Sequence, residues 1–520
     1  MRVGVAAGVR VWIAPLLLGI VVSAIFARCA WRATFDGLLA DGYVYLLMAD
    51  ALREVDATRA LDWRFLFGEY PFPPLYPLLL ALVGAGADTP APAIALNAGL
   101  LGAAFAVLVR WYANLGIPTG PAFALCVAMA LLPITFLTAL DVQSEPLYLL
   151  LSLITLTAMV KREVPHAWFV AGVCCGLAIL TRTVGIALLA AFTLVWFTDG
   201  RRRVLPLLCA WLPYGGWWIF RRLNGLEASY LRHLSLAPSE FLNSTLEIAP
   251  RNLRALSFFL PRSVDLQGAP HVGIVLVLLG LCASVVFLQR LRKGECDAVY
   301  LLCYLGLVMA WPHPDHLRRF MFVVLPMVGG YAMYALWRGC QTRTSRWSAQ
   351  VVLYAVAVVI ALLALPSMVA ISQEYAVATT PELRALTRSP GRYFAPSLSI
   401  AKAHAQAFEP VITLLKHART ELPVAACISS AIPEQVMFYA RRPGLDLIHG
   451  IAAPAALLRE CPYVLMVAFR SIPDNGVPPM FPYPELRSDL VILDGARVDA
   501  GNPRAPVRAL LARYRAPSRD

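Results

Sequence analysis

Long apolar segments constrain the fold of this chain more than any other feature. A helix needs about 20 apolar residues to cross a bilayer, and about eleven segments approach or reach that length. Lipid offers no hydrogen bonds to the backbone, so such segments are expected to be helical. They cover residues 11–31, 91–110, 120–140, 146–160, 166–180, 184–198, 204–220, 271–289, 298–312, 320–337 and 348–370. The sequence therefore predicts a polytopic α-helical membrane protein with about eleven transmembrane helices.

Some apolar segments are shorter than a full span. Residues 166–180 and 184–198 have roughly 15 residues each, so they must thin the bilayer or stop short of one face. Residues 74–86 are shorter still and are expected to be broken by Pro77, which predicts a re-entrant or interfacial helix.

The composition favours a membrane protein and argues against a nucleic-acid-binding one. Hydrophobic residues make up 59% of the 520 residues and charged residues only 15%, whereas soluble domains average about 25% charged. The net charge of +13 comes from arginines grouped at helix ends, which is typical of a membrane boundary. We therefore expect membrane lipids, and no nucleic acid, as partners.

Clusters of basic residues predict the orientation in the inner (plasma) membrane. If the N-terminus is cytoplasmic, the short cytoplasmic turns contain the basic clusters 161–162, 201–203, 290–293 and 338–346. Positive charge accumulates on the cytoplasmic side of membrane proteins. The N-terminus is thus predicted to be cytoplasmic, to begin an uncleaved first helix, and to place the C-terminus outside the cytoplasm.

The composition changes near residue 371, which predicts a transmembrane domain over 1–370, with its first external loop at 32–73, and a second domain over 371–520. Residues 424–429, 463–469 and 489–495 are typical of buried strands, and residues 433–441 and 506–515 are predicted to be helices. The second domain is therefore predicted to be an extracytoplasmic α/β domain. The sequence leaves open whether Cys427 and Cys461, both in this domain, form a disulfide.

Charged residues gather at the predicted external ends of the helices. Carboxylates and arginines beside hydrocarbon are costly and are usually functional. The candidate carboxylates are Asp41 and Glu145, and the candidate substrate contacts are Asp36, Tyr76, Arg182, Arg222, His316, Arg318 and Arg319. This predicts one external face that is rich in both acids and arginines.

Such a set of groups suits the transfer of a sugar from a lipid-linked phosphate. A carboxylate is needed to take the proton from the attacking hydroxyl, and cations are needed to stabilise the leaving phosphate. Arginine or a bound divalent metal could supply the cation. A nucleotide-sugar donor fits less well, because such donors are cytoplasmic and this face is not.

The order of several motifs resembles the GT-C superfamily of membrane glycosyltransferases. The motifs are DGYVYLLMADALRE, PFPPLYPLLLAL, DVQSEPLYLLLSL, CCGLAILTRTVGIALLAAF, WLPYGGWWIFRRLNG and HLRRFMFVVLPMVGGY. The resemblance covers roughly residues 10–370 and is to the bacterial branch that uses polyprenyl-phosphate sugars. That branch is similar to protein O-mannosyltransferases and to the aminoarabinose transferase of lipid A.

The resemblance implies roles for four residues. Asp41 matches the first-loop aspartate proposed as general base, and Glu145 matches the acid of the second loop, which orients the acceptor or binds metal. Arg182 and Arg319 match positions near the donor phosphate. Gly42 stands where an acidic residue often follows the aspartate, which puts a metal site on Asp41 and Glu145 in doubt. Phe320 replaces the usual tyrosine.

Each candidate also has a purely structural interpretation. Asp41 suits a helix N-terminus, and Asp36 competes with it as a base. Glu145 precedes Pro146 and suits a helix start. Arg182 could bind carbonyl groups between two short helices. Arg222 could anchor the helix at the interface. Tyr76 could simply pack at the membrane interface, and His316 could lie in a solvated turn.

Three functions follow from the sequence. The first is an inverting hexosyl- or pentosyltransferase that moves a sugar from a polyprenyl-phosphate donor to a glycan, lipid or protein acceptor at the outer (periplasmic) face. The second is a flippase or transporter of lipid-linked glycans, which would be expected to have polar sites near the midplane of the membrane. The third is an inactive GT-C-like scaffold.

Overall fold

The computed structural model of the chain describes residues 2–32, 40–53, 61–199, 204–226, 245–253, 270–311, 317–343, 345–377, 411–430, 432–446, 458–467, 490–497 and 507–515. Its first part is helical. The helices before residue 200 are Arg2–Arg32, Ala40–Arg53, Trp63–Glu69, Leu75–Leu82, Ala91–Asn114, Thr119–Ala130, Pro133–Leu140, Glu145–Val160, Pro165–Thr181 and Ile186–Thr198. Those that follow are Val204–Leu223, 245–253, Pro270–Arg292, Cys296–Met309, Leu317–Gln341 and Arg346–Val377.

Among the described residues, three helical stretches are long and apolar enough to cross a membrane. They are Ala91–Asn114, Arg319–Gln341 and Arg346–Leu365. Six further apolar helices have 10–17 residues, and two of them, His166–Thr181 and Thr183–Thr198, correspond to the short pair noted in the sequence. The predicted helical character is confirmed, whereas the number of about eleven spans stays a prediction.

The short segment around Pro77 forms the helix Leu75–Leu82. Pro77 lies in its first turn, where a missing backbone N–H costs no helical hydrogen bond. The expectation that Pro77 breaks this segment is therefore wrong, and the re-entrant or interfacial location of the helix stays a prediction.

The chain divides into two compact units. Unit 1 comprises Met1–Ala30, Phe67–Tyr76 and Ile94–Gln373, and unit 2 comprises Trp31–Leu66, Pro77–Ala93 and Glu374–Asp520. Unit 2 thus combines C-terminal residues with two segments from the first hundred residues. The division at residue 370 drawn from composition stays a prediction.

In unit 1, small residues allow helices to approach closely. The helix Pro165–Thr181 packs against both Glu145–Val160 and Val204–Leu223. Gly172 and Gly176 lie one turn apart on it, and a Cβ at either position would collide with backbone carbonyls of Val204–Leu223. Glycines spaced four residues apart are a common way for helices in lipid to pack without a hydrophobic driving force.

In unit 2, five strands form one mixed sheet. The strands are β1 (Ile428–Ser430), β2 (Gly444–Asp446), β3 (Tyr463–Val467), β4 (Leu490–Arg497) and β5 (Val507–Tyr514), in the order β2-β1-β3-β5-β4. β1 is parallel to β2 and β3, whereas β5 is antiparallel to β3 and β4. The predicted strands near 424–429, 463–469 and 489–495 correspond to β1, β3 and β4.

The predicted helix over 506–515 is wrong, because this segment forms β5. Leu510, Ala512 and Tyr514 are buried in the core on one side of the sheet, and Leu511 between them is buried as well. A strand in the middle of a sheet buries both faces and loses the alternation that distinguishes a strand from a helix. The pairing partners of β5 therefore decide its conformation, and they are not visible in the local sequence.

The predicted helix over 433–441 is confirmed in part. Pro433–Gln435 is α-helical, and Val436–Ala440 continues as a π-helical turn that ends at Arg441. In the same unit, a disulfide joins Cys427 to Cys461 and so links the starts of β1 and β3. The structure thus answers the question that the sequence left open about these two cysteines.

Candidate functional site

Three of the predicted site residues lie at helix ends in unit 1. Glu145 is in the first turn of Glu145–Val160, Arg182 directly follows Pro165–Thr181, and Arg319 is in the first turn of Leu317–Gln341. An acid at a helix N-terminus and a base at a helix C-terminus are each favoured by the helix dipole. The local sequence thus places Glu145 and Arg182 where their charges are tolerated.

The carboxylate of Glu145 lies between the two guanidinium groups. Its Oε1 atom is 2.6 Å from Nη1 of Arg182 and 2.8 Å from both Nε and Nη2 of Arg319. Its Oε2 atom is buried and has no hydrogen-bond partner among the described residues. These three side chains, which we call the Glu145 cluster, are therefore held together by ion pairs, and the contact from Nε of Arg319 is also a charge-assisted hydrogen bond.

The members of the Glu145 cluster differ in exposure. The side chain of Glu145 is 1% exposed, whereas those of Arg182 and Arg319 are 12% and 17% exposed. The carboxylate is thus shielded, and the accessible part of the cluster is guanidinium. A ligand that reaches this cluster would meet cations first.

Arg182 has two further contacts that fix its direction. Its Nη1 atom donates to Oγ of Ser144 over 3.3 Å, and its guanidinium lies 5.7 Å from the ring centre of Phe320. Phe320 in turn accepts, through its carbonyl oxygen, a hydrogen bond of 3.0 Å from the hydroxyl of Tyr304. Phe320, which replaces the tyrosine that the resemblance implies is usual there, therefore offers Arg182 a cation–π contact.

A buried network supports the segment that leads into Glu145. The hydroxyl of Tyr76 donates to Oδ1 of Asn97 over 2.9 Å, and Nδ2 of Asn97 donates to the carbonyl oxygen of Asp141 over 2.7 Å. The carboxylate of Asp141 accepts hydrogen bonds from the backbone N–H of Val142 and from Nε2 of Gln143. The backbone from Asp141 to Glu145 is therefore fixed from several sides, as a preorganised site requires.

The fold of the chain is similar to that of solved structures over nearly its whole length. The structures are ArnT from Cupriavidus metallidurans in the apo state, with a TM-score of 0.54, and the same protein bound to undecaprenyl phosphate, with a TM-score of 0.50. Each match has 16% sequence identity and covers 95% of this chain and 97% of the ArnT chain. The chain has the GT-C fold.

Other comparisons add little to this result. The arabinofuranosyltransferase AftD from Mycobacteria matches with a TM-score of 0.48 and 15% identity over 96% of this chain and 40% of that chain. No protein-family model matches the sequence, and no curated protein matches it closely. At this level of identity, the likeness establishes the fold and leaves the chemistry to be argued from the site.

Within this GT-C fold, Glu145 does not suit a metal ligand. A divalent cation at its carboxylate would meet two guanidinium groups that already contact Oε1. The described residues also contain no group of three His, Cys, Asp or Glu side chains that could hold a metal ion. The donor set around Glu145 therefore fits an anion better than a cation.

The other predicted site residues have different surroundings. Asp41 belongs to unit 2, where it lies half-buried in the first turn of Ala40–Arg53. Arg222 is exposed, and its guanidinium lies 5.5 Å from the ring centre of Trp218, as expected of an interfacial anchor. Asp36, His316 and the side chain of Arg318 lie outside the described residues.

Tyr76 was predicted to contact the substrate, and its surroundings favour a supporting role. Its side chain is fully buried and its hydroxyl is bonded to Asn97. Asn97 itself was missed, as was Ser144. A signal for Asn97 was present in the sequence, because a lone amide in an apolar helix needs a buried partner.

Proposed function

We propose that the chain is an integral membrane glycosyltransferase that moves a sugar from a polyprenyl-phosphate donor to a glycan, lipid or protein acceptor. The reaction inverts the anomeric centre and takes place at the outer face of the inner membrane. The likeness to ArnT supports this proposal, because one of the two ArnT structures is bound to undecaprenyl phosphate. The transferred sugar is a hexose or a pentose.

The Glu145 cluster is the observation that carries the proposal. A phosphate that leaves during sugar transfer needs donors already in place, since donors that must reorganise contribute less to the rate. Arg182 and Arg319 are held by Glu145 through contacts of 2.6–2.8 Å and are the more exposed members of the cluster. Guanidinium groups bind phosphate oxygens with two parallel N–H donors, which makes this pair suited to a phosphodiester.

The roles of the two predicted carboxylates then differ. Asp41 acts as general base and takes the proton from the acceptor hydroxyl. Glu145 is too buried to meet a substrate, so its role is to orient Arg182 and Arg319. This refines the sequence-based prediction, in which both acids were catalytic.

Two observations support an outer location for the reaction. The disulfide between Cys427 and Cys461 lies in unit 2, and such bonds persist in oxidising compartments. The basic clusters of the short loops predict that the C-terminal residues are outside the cytoplasm. Both agree with a donor whose sugar has already crossed the membrane.

The proposal is tested with the full-length protein in lipid nanodiscs. Radiolabelled sugars on undecaprenyl phosphate, chosen from a panel of hexoses and pentoses, are offered together with envelope lipids and glycans as acceptors. Asp41→Asn should lower the transfer rate by about 10²- to 10⁴-fold, the usual contribution of a general base. It should leave the binding of undecaprenyl phosphate unchanged.

Arg182→Gln and Arg319→Gln should act at the binding step. Hydrogen bonds to charged groups contribute about 1.5–3 kcal/mol, so each change should weaken binding of undecaprenyl phosphate by about 10- to 100-fold. Arg338→Gln is the matched control, because Arg338 is an exposed arginine at the opposite end of the helix that carries Arg319. Equal binding in all three variants would contradict the phosphate assignment.

The rival functions give different results in the same preparation. A flippase would move the lipid-linked headgroup across a liposome membrane without forming product. An inactive scaffold would bind undecaprenyl phosphate without transferring any sugar. Full transfer activity in Asp41→Asn would end the assignment of Asp41 as the base.

A further inference from the structure

A buried arginine joins three separate segments of unit 2. Nη2 of Arg441 donates to Oδ1 of Asp88 over 2.8 Å, and its Nη1 atom lies 3.6 Å from Oδ2 of Asp50. The side chain of Arg441 is only 5% exposed, whereas that of Asp88 is 72% exposed. One guanidinium thus connects the helix Ala40–Arg53, the turn after Leu75–Leu82 and the C-terminal residues of the unit.

The helix and the turn are also bound to each other. Oδ2 of Asp50 accepts a hydrogen bond of 2.9 Å from the backbone N–H of Ala87, and its Oδ1 atom accepts one of 2.8 Å from Arg53. Any side chain at Gly86 would collide with the carboxylate of Asp50. Asp50 is therefore held close to the backbone of this turn, and Arg441 meets a carboxylate that is already fixed.

The backbone of Arg441 is in a conformation that side chains rarely adopt. Its φ of 52° and ψ of 39° lie in the left-handed region, directly after the π-helical turn Val436–Ala440. Such a conformation persists when neighbouring groups impose it, and it is often found at functional sites. Here the guanidinium of Arg442 donates to the carbonyl oxygen of Arg441 over 3.1 Å.

The same turn also reaches the other end of the helix Ala40–Arg53. The ring of Tyr43 packs against Phe438 and Tyr439, with ring centres 4.7 and 6.0 Å apart. Tyr43 follows Asp41 by two residues, whereas Asp50 lies near the last turn of the helix. Residues 438–441 therefore contact the helix near both of its ends, which fixes its direction as well as its position.

Two neighbouring arginines have different tasks in this arrangement. Among the described residues of unit 2, Arg442 donates to backbone carbonyl oxygens, namely those of Arg419, Leu422, Ala440 and Arg441. Burial and the nearby charge of Arg419 lower the pKa of Arg442 below its usual range. Arg441, in contrast, pairs with two carboxylates from earlier segments. Arg442 thus stabilises the C-terminal residues, whereas Arg441 attaches them to the helix of Asp41.

We propose that Arg441 is a positioning residue for Asp41. By holding the helix Ala40–Arg53 in one direction, it holds the carboxylate of Asp41 where the acceptor hydroxyl is activated. This inference rests on the proposed function, in which Asp41 is the general base. A displacement of about 1 Å at a reacting group can cost about 100-fold in rate, so a distant clamp can control turnover.

The test uses the full-length protein in nanodiscs, with rates expressed per mole of protein that binds undecaprenyl phosphate. This normalisation removes molecules that have failed to fold. Arg441→Gln should lower kcat by about 10- to 100-fold and leave the KM for the donor within about twofold. Arg441→Lys should recover most of this loss, because it retains the charge. Asp88→Asn, which leaves Asp50 in place, should lower kcat by about threefold.

Arg419→Gln is the matched control. Arg419 also contacts Asp88, but over 3.7 Å and with an exposed side chain. Its replacement should therefore leave kcat unchanged. Arg442→Gln is a second comparison. This change should destabilise the C-terminal part of unit 2 without removing a partner of Asp50 or Asp88. It should lower the fraction of protein that binds undecaprenyl phosphate, and its normalised kcat should fall much less than that of Arg441→Gln.

Several results would overturn the inference while the proposed function stands. One is an unchanged normalised kcat in Arg441→Gln, and another is a kcat that falls equally in Arg441→Gln and Arg442→Gln. If Arg441→Gln does not fold, an unchanged kcat in Asp88→Asn would overturn the inference. If the wild type transfers no sugar, the proposed function fails instead. Hydrogen exchange then still tests the clamp: amides of residues 42–48 should exchange about tenfold faster in Arg441→Gln than in Arg419→Gln. Equal exchange in these two variants would overturn it.

Discussion

Two charged clusters in this protein have opposite compositions. In unit 1, one carboxylate, Glu145, lies between two arginines. In unit 2, one guanidinium, Arg441, lies between two aspartates, Asp50 and Asp88, and we call these three residues the Arg441 cluster. In both clusters the central ion is almost fully buried. The outer ions differ, since the arginines around Glu145 are largely buried whereas Asp88 is mostly exposed.

This difference separates a cluster that suits ligand binding from one that suits attachment. The Glu145 cluster presents guanidinium groups that are restrained by a shielded acid, which is the arrangement that an anion needs. The Arg441 cluster uses its cation internally and leaves an acid in solvent, where it would repel a phosphate. Similar ion pairs therefore serve different purposes according to which member is accessible.

The largest effect is expected from removal of the acid in the Glu145 cluster. Glu145→Gln leaves two partly buried guanidinium groups without the carboxylate between them. Loss of one member of a buried ion pair costs about 3–5 kcal/mol. Thermal and denaturant unfolding of the full-length protein in detergent should show this loss, together with weaker binding of undecaprenyl phosphate. Glu163→Gln, at an exposed glutamate of unit 1, is the control. If Glu145→Gln and Glu163→Gln were equally stable, the buried ion pairs of Glu145 would add no stability, and the contrast between the two clusters would fail.

The next effect concerns the unit that contains the Arg441 cluster. Replacing both Cys427 and Cys461 with alanine should lower the stability of the full-length protein by about 2–4 kcal/mol, since the disulfide restricts the unfolded chain. Reductant should lower the unfolding midpoint of the wild type and leave that of the double variant unchanged. Cys340→Ala, at a cysteine that does not take part in this disulfide, is the control. A wild-type midpoint that does not respond to reductant would show that the bond adds no stability.

The two clusters also differ in how far the sequence predicts them. Glu145, Arg182 and Arg319 could be selected because charged residues at the ends of apolar helices need partners, and the structure brings all three together. Arg441 was missed, because its partner Asp88 is 353 residues away and no local pattern marks such a pair. The helical part of the fold was also predictable from the membrane. In lipid, the backbone must form its hydrogen bonds within each apolar segment, and a helix does this.

The C-terminal sheet shows where local prediction ends. The strands β1 and β3 could be predicted from short apolar runs with turn residues around them. β5 has the composition of a helix, and only its pairing with β3 and β4 makes it a strand. The supporting side chain Asn97 was missed for a related reason, since its importance comes from the bonds to Tyr76 and Asp141 rather than from its own type.

A smaller effect is expected from the network that supports the Glu145 cluster. Tyr76→Phe removes the hydroxyl that donates to Oδ1 of Asn97 and leaves this buried oxygen without that donor. An unsatisfied buried acceptor costs about 1–3 kcal/mol. Denaturant unfolding should show this loss, with Tyr354→Phe, at an exposed tyrosine, as the control. If Tyr76→Phe also abolished sugar transfer at full stability, the original prediction of a substrate contact would be supported instead.

The smallest effect is expected from the exposed member of the Arg441 cluster. Asp88→Asn removes an ion pair whose acid is mostly in solvent, and such pairs contribute about 1 kcal/mol or less. Because salt screens exposed charges, the difference between Asp88→Asn and the wild type should shrink further in about 1 M salt. The loss caused by Glu145→Gln should persist under the same conditions, since that pair is shielded from solvent. A salt-sensitive Glu145 cluster, or a loss in Asp88→Asn as large as that in Glu145→Gln, would mean that exposure does not distinguish the two. The phosphate assignment would then have to rest on binding measurements alone.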